Sequence, residues 1–235
     1  MSKRASVMRL LALAGLVFSA SFMTAEAVEF PNAPKRQPPR STAAGGRRGG
    51  ASLCIQGTLP MKALTPADDN YFTTISSQTP FFVYIPKTQA KLARFALKDS
   101  TGNQIDYQEI PIQQGDYILR INPSQDTILD VGQSYNWEIS LVCPPEVPNR
   151  GSGNTVKGTV ERVSPGGQLL ETLMGETDTV KKAQIYANAN LWGDTIVLVA
   201  QAKKSQPREW VELLNSVGLQ AYANKPIISS SPVTR

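Results

Sequence analysis

The chain has 235 residues, with 24 Lys and Arg residues against 19 Asp and Glu residues and no histidine. Because histidine is the commonest general base and a usual zinc ligand, its absence argues against His-dependent catalysis and against a zinc centre. The net charge of +5 arises in the first 50 residues, whereas acidic and basic residues beyond them nearly balance. A nucleic-acid-binding face is therefore not expected in the rest of the chain.

The first 27 residues have the pattern of a secretory signal peptide. Three basic residues precede an apolar run over 10–23, and small residues occupy positions −3 and −1 of Ala25-Glu26-Ala27. The run is shorter than the roughly 20 residues that a membrane-spanning helix needs. We predict a cleavable leader over 1–27, export to the periplasm or beyond, and a mature protein without a transmembrane segment. The alternative is an uncleaved anchor or a buried helix.

Residues 28–51 are rich in Pro, Gly, Arg and Ser. Such a composition buries too little apolar surface to offset the entropy of ordering, so we predict a disordered basic linker. Its basic residues are Lys35, Arg36, Arg40, Arg47 and Arg48. They favour one of two interpretations, a plain solvated tether or a tail that contacts acidic envelope polymers or lipid headgroups.

Cys54 and Cys143 are the only cysteines of the chain. If the leader directs export, both reach an oxidising compartment, where disulfides form and persist. Each lies beside an apolar, strand-like run. We predict that they pair, and two free buried thiols are the alternative. Two thiolates alone are too few ligands for a structural metal site, and no cofactor is expected.

Residues 52–164 have the pattern of short strands separated by turns. The predicted strands cover 80–86, 92–98, 104–110, 117–121, 135–143 and 156–163, and the segment 99–103 is predicted to be a hairpin turn. Tyr135, Trp137 and Ile139 fall on one face because strand side chains alternate. About seven strands predict an antiparallel sandwich, and a Trp near a Cys suggests an immunoglobulin-like architecture.

The apolar spacing changes to three and four residues over 165–224, which predicts a small helical domain. We predict a first helix around Leu169–Leu173, a second helix capped by Thr177 or Asp178, and a third helix over 192–204. A fourth helix is predicted from Pro207 to a terminating Gly218, and residues 225–235 are predicted to be a flexible tail. The overall fold class predicted is α+β.

The second and third helices have the spacing of one tetratricopeptide-like hairpin. Tyr186, Ala202 and Pro207 occupy the positions for the inter-helix aromatic, the close approach and the end of the unit. One hairpin is too few for a solenoid, so it serves either as a structural cap or as a partner-binding surface. Trp192 and Trp210 are the candidate partner contacts, although either also suits a core position.

Several motifs in order resemble a family of exported proteins found mostly in cyanobacteria, the domain of unknown function numbered 928. The similar motifs are Leu64 with Pro66, Pro80-Phe81-Phe82-x-Tyr84-x-Pro86, Tyr135-x-Trp137 with Cys143, Gly158-x-x-Glu161-Arg162, Tyr186-Ala187, Leu191-Trp192-x-Asp194 and Trp210-x-x-Leu213-Leu214-x-x-Val217-Gly218-Leu219. The resemblance covers about residues 50–226 and implies an exported envelope protein without an established activity. The sequence departs from it at Asn190, where Gly is expected, and at Thr195, where Ala is expected.

The leading functional hypothesis is a non-catalytic binding or adaptor protein of the cell envelope, with an envelope protein as its partner. The alternative is a structural envelope component that binds acidic polymer through its basic N-terminal segment. A carbohydrate-active enzyme is a third hypothesis, because two carboxylates suffice for glycoside hydrolysis.

Overall fold

The computed structural model describes residues 27–31, 54–144 and 152–230. The strands in these ranges are β1 (Lys62–Ala63), β2 (Tyr71–Thr74), β3 (Phe81–Ile85), β4 (Leu92–Lys98), β5 (Gln104–Pro111), β6 (Tyr117–Ile121), β7 (Ser134–Val142), β8 (Thr155–Arg162) and β9 (Ile227–Ser229). The helices are α1 (Gly167–Gly175), α2 (Thr179–Asn188), α3 (Trp192–Ala202) and α4 (Pro207–Ser216). The predicted α+β class is confirmed.

A five-stranded sheet with the order β2-β8-β7-β4-β5 forms one layer. In β7 the buried residues alternate, with Tyr135, Trp137, Ile139 and Leu141 turned inward as predicted. The turn at 99–103 joins β4 to β5 as an antiparallel hairpin, which confirms that prediction. Hydrogen bonds from Thr101 and then Asn103 lower the pKa of the Asp99 carboxyl to about 2.

A second sheet, with the order β1-β3-β6-β9, packs face to face on the first. Its strand β3 is buried along its whole length. The Phe81 ring lies 5.0 Å from that of Phe95 and 5.5 Å from that of Trp137, across the interface between the sheets. On the opposite face of β3, Phe82 packs near Trp210 of α4. The molecule therefore has three layers, sheet, sheet and helices, which explains why β3 lacks an exposed side.

Both sheets are mixed, so the predicted purely antiparallel arrangement is corrected. Strand β2 pairs with β8 in parallel, and β9 pairs with β6 in parallel. Parallel neighbours need a long crossover connection. Between β6 and β9 the chain passes through β7, β8 and all four helices, and this non-local route leaves no local sequence signal.

The segment 225–235 was predicted to be flexible, but its first part is ordered against the sheet. Ile227, Ile228 and Ser229 pair with β6, and the Ser230 N–H donates to the Arg120 carbonyl oxygen over 2.7 Å. Edge pairing satisfies backbone groups that β6 would otherwise expose. Residues 231–235 lie outside the described residues.

The predicted caps of the helices are confirmed. The Asp178 carboxylate accepts hydrogen bonds from Val180 and Lys181, the N-cap pattern expected for α2. Pro207 occupies the first turn of α4, where its missing N–H costs nothing. Gly218 ends the helix with a φ of 75°, a left-handed conformation that glycine adopts without a steric penalty.

The two departures from the family pattern have local explanations. Asn190 follows α2 with a φ of 59°, a conformation that favours Gly and that Asn tolerates better than most residues. Thr195 is fully buried in α3, and its hydroxyl donates to the Leu191 carbonyl oxygen over 2.8 Å. The extra polar atom is therefore satisfied within its own helix.

Candidate functional site

The two cysteines form the predicted bridge. Cys54 and Cys143 are disulfide-bonded with their Cα atoms 5.7 Å apart, and Cys143 directly follows β7. Backbone bonding reinforces the attachment, since the Gln89 N–H donates to the Cys54 carbonyl oxygen over 2.9 Å. The bridge fixes the chain entering β1 to the end of a central strand.

Both tryptophans proposed as partner contacts are core residues. Trp192 and Trp210 are 1% and 0% exposed. Each indole N–H is satisfied, that of Trp192 by the Leu64 carbonyl oxygen over 2.8 Å and that of Trp210 by the Ala223 carbonyl oxygen over 3.0 Å. Their presence in the helical region reflects packing on the sheet, so the partner-contact assignment is corrected to a structural one.

Lys35, Arg36, Arg40, Arg47 and Arg48 lie outside the described residues. The chain on either side of them is anchored, however. Phe30 is buried before the basic segment, and Cys54 is bridged after it. The described chain is therefore fixed on both sides of residues 32–53.

The first described residues occupy a groove between α2 and α4 that we call the N-terminal seat, formed by Val28–Phe30, Gln184, Glu209 and Ser216. The Val28 N–H donates to Glu209 Oε2 over 2.8 Å, the Glu29 N–H to Gln184 Oε1 over 3.1 Å and the Phe30 N–H to Ser216 Oγ over 3.0 Å. Gln184 Nε2 also donates to the Glu29 carbonyl oxygen. Side chains thus bond every backbone N–H of the segment.

Apolar contacts complete the seat. Val28 and Phe30 are buried, while Glu29 between them is exposed. The Phe30 ring meets Trp192 edge to face at 5.1 Å. The prediction of disorder is therefore wrong for Val28–Phe30, and the rest of the predicted linker, from 32 to 51, lies outside the described residues. The apolar–polar–apolar alternation of 28–30 was the available signal, but three residues are too few to establish a period.

Helix α1 exposes two of its large apolar side chains, Leu170 and Met174, whereas Leu169 and Leu173 are half-buried. Its leucines recur at helical spacing as predicted, yet none of its residues is buried. Leu170 is 43% and Met174 80% exposed. We call these two side chains the α1 face. The charged residues of the sequence from 163 to 180 are Glu171, Glu176 and Asp178, and basic residues flank this stretch at Arg162, Lys181 and Lys182.

An open cleft of about 680 Å³ lies beside the turn from β5 to β6. Gln113 to Tyr117 line it, together with Lys91 and Ile228. Gln114, Gly115 and Asp116 all have positive φ angles, and the Asp116 N–H donates to the Ile85 carbonyl oxygen over 2.7 Å. Consecutive residues in this conformation store backbone strain, which the surrounding hydrogen bonds hold in place.

Asp116 at the cleft is bonded to Tyr84 and Lys225. Asp116 Oδ1 accepts from Tyr84 Oη over 2.8 Å and from Lys225 Nζ over 2.6 Å. The hydrogen bond from Lys225, and then that from Tyr84, lowers the pKa of the Asp116 carboxyl. Burial raises the pKa of the Tyr84 hydroxyl, and its bond to Asp116 raises it further. This arrangement keeps the carboxylate charged and the phenol protonated, as in a structural lock.

We expect the Asp116 ion pair to contribute stability at neutral pH and to lose that contribution in acid. A carboxyl whose folded pKa is depressed contributes fully above its ordinary value of 3.8 and loses that contribution as pH falls through the folded value. In Asp116→Asn the amide keeps the left-handed backbone but removes the charge. Urea unfolding across a pH series should show that the free energy of unfolding differs between the two proteins at neutral pH. This difference should disappear as the pH falls below the ordinary carboxyl pKa of 3.8. A difference that is the same at every pH would contradict the ion-pair role.

We searched the described residues for a metal site and for a membrane-spanning helix. Within 27–31, 54–144 and 152–230, no three Cys, Asp or Glu side chains converge as a metal site would require. Nor does this part of the chain contain a helix with the length and apolar character to cross a membrane. Of the described residues lining the cleft, Asp116 alone carries a carboxylate.

The family motif near the end of β8 has a structural role. Arg162 Nε donates to the Ile75 carbonyl oxygen over 3.1 Å, and its Nη1 to that of Leu129 over 2.6 Å. The preceding Glu161 accepts from the Tyr71 hydroxyl. Gly158 lets the Asn70 backbone approach closely, because a Cβ there would clash with the Asn70 carbonyl oxygen and lie 2.6 Å from the Trp137 ring. These residues tie β2 and the β6–β7 loop to β8.

Comparison with known proteins places this arrangement in a family. No curated protein and no solved structure matches the chain. A family model described as Domain of Unknown Function (DUF928) matches residues 43–227, which span the disulfide, the strands β1 to β8 and all four helices. Because the match covers most of the chain, the protein belongs to the DUF928 family.

Proposed function

We propose that this protein is an exported, non-catalytic adaptor of the cell envelope that binds a protein partner through the α1 face. The observation that carries the proposal is the outward position of Leu170 and Met174 on a helix without a buried residue. The disulfide supports export, since such bonds persist in oxidising compartments. The family resemblance adds the expectation of a cyanobacterial envelope.

The chemistry of the α1 face indicates the kind of partner. Exposed apolar side chains on a well-formed helix favour docking, and the flexible thioether of Met174 adapts to irregular surfaces. Glu171 lies on the same helix, and Glu176 and Asp178 follow it in the sequence. The complementary partner is an envelope protein with an apolar groove flanked by Lys or Arg, because opposite charges at the rim speed association and select partners.

The finer architecture belongs to the same proposal. We infer that the two packed sheets form an immunoglobulin-like sandwich and that α2 and α3 form a tetratricopeptide-like hairpin. The half-buried Tyr186, the buried Ala202 and the first-turn position of Pro207 support the hairpin assignment. In this arrangement the hairpin supports α1 from one side and leaves the α1 face free for the partner.

We expect Leu170→Gln combined with Met174→Gln to abolish capture of the partner and to leave the fold intact. Gln preserves helix propensity and removes apolar contact area. The measurement is crosslinked co-purification of the tagged, exported protein from the envelope fraction, with mass spectrometry of the captured proteins. Thr172→Gln, an exposed change on the same helix, is the matched control and should retain the partner.

The possible outcomes distinguish the adaptor hypothesis from the polymer-binding alternative. A stoichiometric partner lost in the double variant and kept in the control supports the proposal. Equal capture by both variants would exclude the α1 face. If only cell-wall material is retained, in a salt-sensitive manner that deletion of 32–50 abolishes, the polymer-binding alternative replaces the adaptor. That alternative is favoured by the composition of residues 32–53, which contain five bases and no acid.

A further inference from the structure

The backbone nitrogen of Val28 lies in a buried position opposite a carboxylate. It is 2.8 Å from Glu209 Oε2, and Val28 is 0% and Glu209 8% exposed. Among the described residues, the donor that hydrogen-bonds the Glu209 carboxylate is this backbone N–H. The two residues are separated by 181 positions, so the contact closes the N-terminal segment onto α4.

A buried carboxylate needs more than one neutral donor. Removing a charge from water is expensive, and buried charges are accordingly paired with an opposite charge. The place of Glu209 in the first turn of α4 offsets part of this cost through the helix dipole. The dipole and a single peptide N–H still supply no full positive charge, which leaves Glu209 incompletely compensated while Val28 is an internal residue.

Signal peptide cleavage at the predicted site would create a positive charge at the Val28 nitrogen. Ala25-Glu26-Ala27 ends at Val28 and has the small residues at −3 and −1 that signal peptide cleavage requires. Cleavage there would turn the Val28 nitrogen from a peptide N–H into a terminal ammonium with three donors. We propose that Val28 is the first residue of the mature protein and that its ammonium forms a buried ion pair with Glu209. The proposal rests on export, which is part of the proposed function.

The chemical step is hydrolysis of the Ala27–Val28 peptide bond. One water molecule is consumed, the C–N bond breaks, and Ala27 leaves as a carboxylate at the end of the leader while Val28 gains the ammonium. The bond lies between two buried residues in the folded chain. A peptidase therefore cuts it before the seat is filled, and docking of the new terminus completes the helical region only after the leader is gone.

The remaining contacts of the seat fit an N-terminus. Val28 and Phe30 fill apolar space, and the exposed Glu29 between them is held at its backbone by Gln184. The Ser216 hydroxyl fixes the next amide by accepting from Phe30. Three consecutive anchors give the ammonium one position, so little ordering entropy remains to oppose the ion pair.

The first experiment is N-terminal sequencing and intact mass measurement of the exported protein. The expected mature chain begins at Val28. A different first residue, or an intact leader, would overturn the assignment of the terminus.

The second experiment tests the ion pair independently of export. The chain from Val28 onward is released from a fusion by a protease that leaves Val28 first, and is compared with the same chain preceded by one Gly. Each is made with Glu209 and with Glu209→Gln. We expect the added Gly to lower the ratio of folded to unfolded protein at least about tenfold when residue 209 is Glu, because the buried carboxylate then loses its charged partner. With Glu209→Gln the added Gly should have a far smaller effect, because no buried charge is left without a partner.

A chemical readout separates an ion pair from simple packing. The pairing should raise the Val28 α-amino pKa above its usual value of about 7.7–8.0 and protect the amine from acetylation near neutral pH until the protein is denatured. Equal acetylation of native and denatured protein, or an equal effect of the added Gly in both Glu209 backgrounds, would overturn the proposal. Partner capture plays no part in these tests, so failure of the α1 face and failure of the ion pair remain distinguishable.

Discussion

Removing the Cys54–Cys143 bridge is expected to lower the free energy of unfolding by about 4–5 kcal/mol. The bridge joins residues 89 positions apart, and on the chain-entropy account a closed loop of this size restricts the unfolded chain by about that amount. Domains of ordinary size have about 5–15 kcal/mol of stability in total, so the loss would leave the protein marginal or unfolded at elevated temperature.

The measurement is urea unfolding of the oxidised protein, the reduced protein and the double variant Cys54→Ala with Cys143→Ala. Alanine avoids placing a polar hydroxyl at Cys54, which is fully buried. The unbridged proteins should also unfold with a steeper dependence on urea, because their unfolded chains expose more surface. The double variant serves as its own control, since reductant should leave it unchanged. Equal stability of oxidised and reduced protein would contradict the expected role of the bridge.

The strands that the sequence predicted well are those with a repeating pattern and a local partner. β4 and β5 pair across a five-residue turn, and Trp137 lies on a strand long enough to show four alternations. β1, β2 and β9 are two to four residues long, and β2 and β9 pair in parallel with strands far away in the sequence. The alternation of apolar and polar residues can be recognised only in a strand of sufficient length. Two parallel strands are also not joined by a tight turn, so the sequence contains no turn motif that predicts their pairing.

The helices show a different limit. The periodicity around Leu170 correctly predicted that α1 is a helix, but a period identifies an apolar side without revealing whether another element covers it. For Trp192 and Trp210 the error was the opposite one, because an aromatic residue in a helical region suits a core and an interface equally. Burial is decided by where the helices lie on β3, and this is a property of the whole fold.

The N-terminal seat could not be predicted from sequence patterns. Glu209 resembles an ordinary acidic residue in the first turn of a helix, a position where acids are favoured. Its partner, Val28, lies at the far end of the chain and beside a composition typical of disorder. Only the three-dimensional structure shows that the leader's predicted cleavage point and a buried carboxylate meet.

Replacement of Trp192 by Ala is expected to lower the free energy of unfolding by about 3–5 kcal/mol, the usual cost of deleting a buried aromatic side chain. The indole is almost completely buried, packs against Phe30 and donates to the Leu64 carbonyl oxygen. Trp192→Phe keeps most of the apolar volume and removes the N–H, so it should cost less, about 1–3 kcal/mol for the unsatisfied carbonyl and the smaller ring. Leu170→Ala, on the exposed side of α1, should change stability by less than about 1 kcal/mol.

Urea unfolding of the three variants, together with envelope capture of Trp192→Phe, decides between a core residue and a partner contact. A core residue loses stability in the order Ala, then Phe, and the folded Phe variant still captures the partner. A partner contact would show the reverse, with normal stability and lost capture. Because Phe30 packs on the Trp192 ring, Trp192→Ala should also loosen the N-terminal seat and expose the Val28 amine to acetylation. One substitution in α3 thus links the core of the helical region to the docking of the N-terminus.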